Sequence, residues 1–172
     1  MVFPAPLWAQ EMFAMRLQQE TGMRVSMAED GMNLQPRRIY IARKDRHMIV
    51  EPGSLKIRMD DGVPRNFCRP SADVLFESMA EAFGAYTVSV ALSGMGKDGL
   101  TGFATLASAG GTVLAQEPAM ADAPYLPQTV SELGICKTVQ PPEALGAATR
   151  LEIDGMVARL AFRKENSGVA RE

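Results

Sequence analysis

Residues 86–99, Y-T-V-S-V-A-L-S-G-M-G-K-D-G, constrain the fold more than any other stretch. A short apolar run rich in β-branched residues ends in a loop holding Gly94, Gly96 and Gly99, and helical spacing resumes at about Leu100. A run too short for a helix and closed by glycines reads as a buried strand. A strand that turns through glycines into a helix opens a βαβ unit. In sheets of that kind, ligands gather where the carboxyl ends of the strands meet the loops. One acid, Asp98, sits in this loop, and the functional reading depends on its purpose.

The rest of the chain fits the same class. Leu7, Trp8, Met12, Met15 and Leu17 recur at helical spacing over residues 5–20, and Gly22 suits the place just past the helix end. Residues 24–28 alternate as a strand does. Residues 38–42, 47–51 and 55–59 also read as short strands, punctuated by Pro52-Gly53-Ser54 and Asp60-Asp61-Gly62. They predict an antiparallel hairpin over about 38–60. Ser71 caps a helix over 71–84 whose stripe is Val74, Leu75, Met79 and Phe83. Beyond the glycine loop come a helix over 100–109, a strand over 112–115, a short helix from Leu126-Pro127, a strand over 135–139 and a helix from Pro141-Pro142. This alternation predicts an α/β fold: a doubly wound, mostly parallel sheet with helices on both faces, an antiparallel hairpin, and residues 86–92 as a central strand. Residues 163–172 are expected to fray.

The length, 172 residues, suits one domain, and 47% hydrophobic with 22% charged residues is ordinary for a globular chain. The net charge is −2, and the arginines at 37–38 and 43–46 are broken by Asp45 and apolar residues, so they read as a solvated edge and no nucleic-acid partner is expected. Cys68 and Cys136 are far apart and match no C-x-x-C pattern, which favours a reducing cytoplasm over a disulfide framework. No apolar run approaches the ~18–20 residues that span a bilayer, so no membrane insertion is expected. No cofactor and no metal are expected either.

Three roles are open to the loop. The string Gly94 to Gly99 matches G-x-G-x-x-G, and Glu117 lies just past the next strand, as in a dinucleotide fingerprint. Against that, Asp98 would face a pyrophosphate at a helix N-terminus, where an acid repels it. Asp98 could instead orient a histidine at a strand's carboxyl end. It could also simply cap a helix, accepting from backbone N–H groups.

The segment V-A-L-S-G-M-G-K-D-G resembles the T-G-M-G-x-D-G signature of the catalytic domain of the chemotaxis methylesterases (CheB). Further segments match in order: I-Y-I-A-R-K-D-R-H-M at 39–48 resembles the family's Y-I-A-P-x-D-x-H-M, R-P-S-A-D-V-L-F at 69–76 its R-P-S-V-D-V-L-F, and Ala115-Gln116-Glu117 with Leu126-Pro127 its A-Q-[DN]-E and M-P. The likeness runs from about residue 3 to 153. It implies hydrolysis of glutamate methyl esters, and deamidation of certain glutamines, on chemoreceptors by a Ser–His–Asp triad. In that resemblance Asp98 takes the triad acid's place, and the backbone N–H of Met95 belongs to the oxyanion site.

The departures are equally specific. The family's nucleophile loop, G-A-S-T-G-G, is not found here, and its base, in Q-H-M-P, aligns with x-V-F-P, which puts Val2 at the histidine position. The chain's single histidine, His47, falls in the D-x-H-M segment and is expected to be bonded locally at a strand end. Ser93 lies in A-L-S-G-M, not in the G-x-S-x-G of a nucleophile elbow. The expectation is therefore a methylesterase-type domain over residues 1–162 without its first strand and nucleophile loop, whether as a fragment, a mis-started product or a degenerate homologue. Its partners would be methyl-accepting receptors and, through an unpaired sheet edge, another chain. Alone it would be inactive; the alternative is a non-catalytic receptor-interaction module.

Overall fold

Pro6 opens the first helix, α1 (Leu7–Thr21), and Gly22 closes it at φ +66°, donating its N–H to the Gln18 carbonyl. Glycine adopts that left-handed turn without a Cβ clash. The structure is a computed structural model and describes residues 1–3 and 5–167. After α1, β1 (Arg24–Met27) and β2 (Arg38–Ile41) pair in parallel, with Arg24 opposite Arg38. β3 (His47–Val50) and β4 (Ile57–Asp60) form an antiparallel hairpin.

The hairpin expected over 38–60 is thus confined to 47–60, because β2 belongs to a parallel pair. Alternation identifies a strand and its buried face but not the direction of its partner. The link from β2 to β3 is a corner, with Asp45 at φ +69° and its N–H donated to the Arg69 carbonyl, and not a hairpin turn.

α2 (Ala72–Phe83) begins after its Ser71 cap, and a 3-10 turn takes Gly84–Tyr86. β5 (Val88–Ala91), α3 (Leu100–Ser108), β6 (Thr112–Gln116), α4 (Tyr125–Glu132), β7 (Thr138–Gln140) and α5 (Pro142–Ser167) complete the order. β5, β6 and β7 form a parallel sheet in that order. Here too the expectation shifts. The strand is parallel as expected, but it starts two residues late and pairs only with β6, so among the described strands it is an edge and β6 is central. The tail expected to fray over 163–172 is helical through Ser167, as the end of α5, and its residues 168–172 lie outside the described residues.

Val113, Leu114 and Ala115 of β6 are all buried, which a strand achieves only when both faces of its sheet are covered. Val113 and Ala115 pack with Phe103 of α3 and Val130 of α4. Leu114 points the other way, toward the face on which α5 lies. A second core joins Tyr40, Met48, Val50, Ile57, Met59 and Leu75, between β2, the hairpin and α2. Phe76 packs against both cores, with its ring 4.7 Å from that of Phe103. α2 is thereby fixed between the two halves, and its N-terminus sits beside the carboxyl end of β5.

Candidate active site

The loop after β5 is pinned before it reaches the acid. Gly94 donates to the Ala123 carbonyl and accepts from the Leu126 N–H, both at 2.8 Å. A Cβ at Gly94 would lie 3.0 Å from the Leu126 side chain, so any larger residue there would press Leu126 away from the loop. Ser93 Oγ accepts from the Ala123 N–H at 2.9 Å, and the Ser93 N–H donates to Gln116 Oε1 at 3.2 Å. Ser93 therefore serves as a strut between loops. Met95 comes next, with an 83% exposed side chain and a backbone N–H that no acceptor among the described residues takes.

Asp98 turns inward onto another element. Its Oδ2 accepts from the Ala72 N–H at 2.7 Å, and its Oδ1 accepts from the Ser71 hydroxyl and, at 3.4 Å, from the Asp73 N–H. The carboxylate caps a helix, but that helix is α2 and not the α3 that comes after Asp98 in sequence. Asp73, in the first turn of α2, accepts from the Gly102 N–H in the first turn of α3 at 2.7 Å. The two helices thus exchange caps. α3 needs this because its own N-cap is Gly99, which has no side chain to offer. The first-turn amides of α3 are correspondingly engaged: Leu100 with Lys97, Gly102 with Asp73, Phe103 with Gly99. With Asp98 and Asp73 both turned to this end, the dinucleotide reading of Gly94–Gly99 would set two carboxylates beside a pyrophosphate.

A cleft of about 150 Å³ opens at this carboxyl end, with Asp98, Met95 and Gly96 on one wall and Val2, Phe3 and Cys68 on the other. Buried Gln10 of α1 holds the second wall by donating to the Phe3 and Ala42 carbonyls and accepting from the Lys44 N–H. Cys68 is the remaining nucleophilic atom in the cleft. Burial, with the charges of Asp98 and Asp73, pushes its thiol up from the ordinary value, so it stays protonated and is a weak nucleophile.

His47 is 2% exposed. Its Nδ1 accepts from the Ser71 N–H, so Nε2 carries the proton and donates to the Val63 carbonyl, each at 3.1 Å. It sits at a strand end as expected, but the local bonding expected there is corrected: its partners lie 24 and 16 residues away in sequence. It supports Ser71, the residue that holds Asp98, and has no ring nitrogen free to take a proton from a nucleophile.

The cap exchange was not legible in the sequence, although its halves were. The serine before A-D-V-L-F signals a helix start, but no local pattern tells that its cap comes from a distant loop.

The chain matches the family model for CheB methylesterase over residues 4–149. It belongs to that family. It is 38% identical over 133 residues to "Protein-glutamate methylesterase/protein-glutamine glutaminase 1" of Rhodospirillum rubrum, which covers 76% of this chain and 34% of that protein. A second such protein, from Caulobacter vibrioides, is 40% identical over 122 residues, covering 69% of this chain and 35% of its own length. The crystal structure of the Thermotoga maritima CheB methylesterase catalytic domain superposes with a TM-score of 0.81 at 30% identity, covering 89% of this chain and 80% of that one. The chain spans about a third of the length of the curated relatives it matches, and the fold agrees with the α/β expectation.

Proposed function

We propose that this chain presents the receptor-recognising surface and half of the acyl-transfer centre of a protein-glutamate methylesterase, and that alone it turns over no methyl ester. The observation that carries the proposal is the state of the cleft. It holds an acid anchored at the carboxyl end of the sheet and a free backbone donor, while the chain's single histidine is buried and bonded at both ring nitrogens.

Ester hydrolysis and glutamine deamidation both pass through a tetrahedral intermediate with a developing oxyanion. The Met95 N–H, held by the pinned Gly94, would donate to that oxygen. Asp98 would accept from an imidazole N–H. A carboxylate offers about four acceptor sites. Three are taken by α2 and Ser71. The remaining one, on Oδ2, suits a histidine. Serine and imidazole would have to come from another polypeptide segment, and the open edge of β5 is where a strand bearing them could pair. The reading implies a cytoplasmic protein acting on methyl-accepting receptors. The same observations favour one second reading, a non-catalytic module that binds receptor through the cleft rim.

The test is titration of the chain with the methylated cytoplasmic fragment of a receptor, read by calorimetry. Saturable binding, weakened at least several-fold by Met95→Asp at the exposed rim, is the expected result. Absence of binding to methylated and unmethylated fragments alike overturns both readings.

A further inference from the structure

We infer that the chain has a second, unrelated binding site, for a small molecule bearing phosphate groups, in the concavity at the amino ends of β1 and β2. The hollow measures about 300 Å³ and is lined by Arg24, Arg37 and Arg38, with Gln35 and the end of α1 around them. That volume is at the lower end of small-molecule sites. It lies at the opposite ends of the strands from Asp98, so it is independent of the acyl-transfer reading.

Four features point to an anion. Among the described residues, no carboxylate comes within ion-pairing distance of any of the three guanidinium groups. Arg24 and Arg38 stand directly opposite each other in the parallel pair, so like charges are held on the same face of adjacent strands. Such a pairing is destabilising unless a counter-charge sits between them.

Arg38 is also held in place without being neutralised. Its Nε and Nη2 donate to Ser26 Oγ, its Nη1 to Gln35 Oε1, and its guanidinium lies 5.5 Å above the Tyr40 ring. A charged fork fixed by neutral partners is preorganised for an oxyanion. Finally, Arg37 comes after Pro36 in the turn before β2 at φ +57°, a place where glycine is the ordinary residue. A long cation kept in the left-handed region points to a use for its side chain. The C-terminal end of α1 contributes an opposing partial charge of about −0.5, which three guanidinium charges outweigh.

The sequence suggests a solvated edge for Arg37-Arg38. What it hides is the register that sets Arg24 beside them.

The probe is pyrophosphate, titrated calorimetrically at constant ionic strength, with orthophosphate and chloride as separate arms. Pyrophosphate should bind saturably and roughly tenfold more tightly than orthophosphate, because two phosphate groups can engage all three cations. Binding should weaken as salt rises. Arg37→Gly relieves the left-handed backbone and so should melt no lower than the parent, yet lose about tenfold in pyrophosphate affinity. Arg24→Ser removes the like-charge pair and should show the same split between stability and binding. No saturable heat with pyrophosphate, or unchanged affinity in both variants, overturns the site. So does saturable binding of an acidic peptide with none of pyrophosphate, which would make the hollow a protein contact.

Discussion

Replacing Asp98 by alanine strips the first turn of α2 of the carboxylate that accepts from Ala72, Asp73 and the Ser71 hydroxyl. Loss of a helix cap costs about 0.5–2 kcal/mol, and the charge-assisted bonds here put Asp98→Ala near the upper end, to be read from urea unfolding. Asp98→Asn should also unmask Cys68. With one neighbouring charge gone, the thiol moves back toward its ordinary value, and alkylation of the Cys68 peptide by iodoacetamide near neutral pH should speed up, as monitored by mass spectrometry. An unchanged rate would show that burial alone sets the thiol.

Asp73 gives a pH signature. Burial pushes its carboxyl up from the ordinary range, and the Asp98 charge adds to this, while the Gly102 N–H and Arg65 pull the other way. A carboxyl raised in the fold favours the neutral form there. Its contribution to stability is therefore full below about pH 4 and is lost as pH rises through the raised value. Stability of the parent measured against Asp73→Asn should decline from pH 4 toward neutrality. A difference that grows with pH would mean the carboxylate is better solvated by its partners than its burial implies. At this scale the sequence singled out Asp98 and Met95, and both line one cleft, because the motif is local. It could not mark Asp73 as the reciprocal cap, because that role exists only once α2 and α3 are packed.

The packing of α2 on α3 is the element-level condition for the site. A Cβ at Gly102 would lie 2.8 Å from Phe76 Cβ and 3.0 Å from Asp73 Cα, so Gly102→Ala must push the two helices apart. Overpacking of this kind costs about 1–3 kcal/mol, and it should also lengthen the cap bond between Asp73 and Gly102. Gly146, in α5, has open space around its Cβ position. Gly146→Ala should instead stabilise by up to about 1 kcal/mol. Paired thermal melts check both signs. If Gly102→Ala melts with the parent, the helices are not in the close contact on which the cap exchange relies.

Helices and strands were largely readable as elements, since Val74, Leu75, Met79 and Phe83 keep helical spacing and buried Ile57 and Met59 alternate with the more exposed Arg58 and Asp60. Partnership was not readable. Whether β2 turns back on β3 or runs beside β1 is decided by the corner at Asp45 and by the core beneath Tyr40, which no local window contains.

For the molecule as a whole, the fold brings Asp98 and Met95 to one cleft, while the chain's single histidine is committed to Ser71 and Val63. A triad divides its work: a serine attacks, a histidine carries the proton, and an acid orients the histidine. On the proposed reading the chain would supply only the orienter and an oxyanion donor, and residual catalysis of about 10³–10⁴ over water is the most that triad enzymes stripped of their nucleophile retain. The direct measurement is methanol released when the purified chain is incubated with methylated receptor. Release no faster than that residual level, far below ordinary enzyme turnover and the same for the parent and Asp98→Ala, is the predicted result. Robust release from the parent that Asp98→Ala abolishes would contradict it, by showing a complete catalytic centre within these residues.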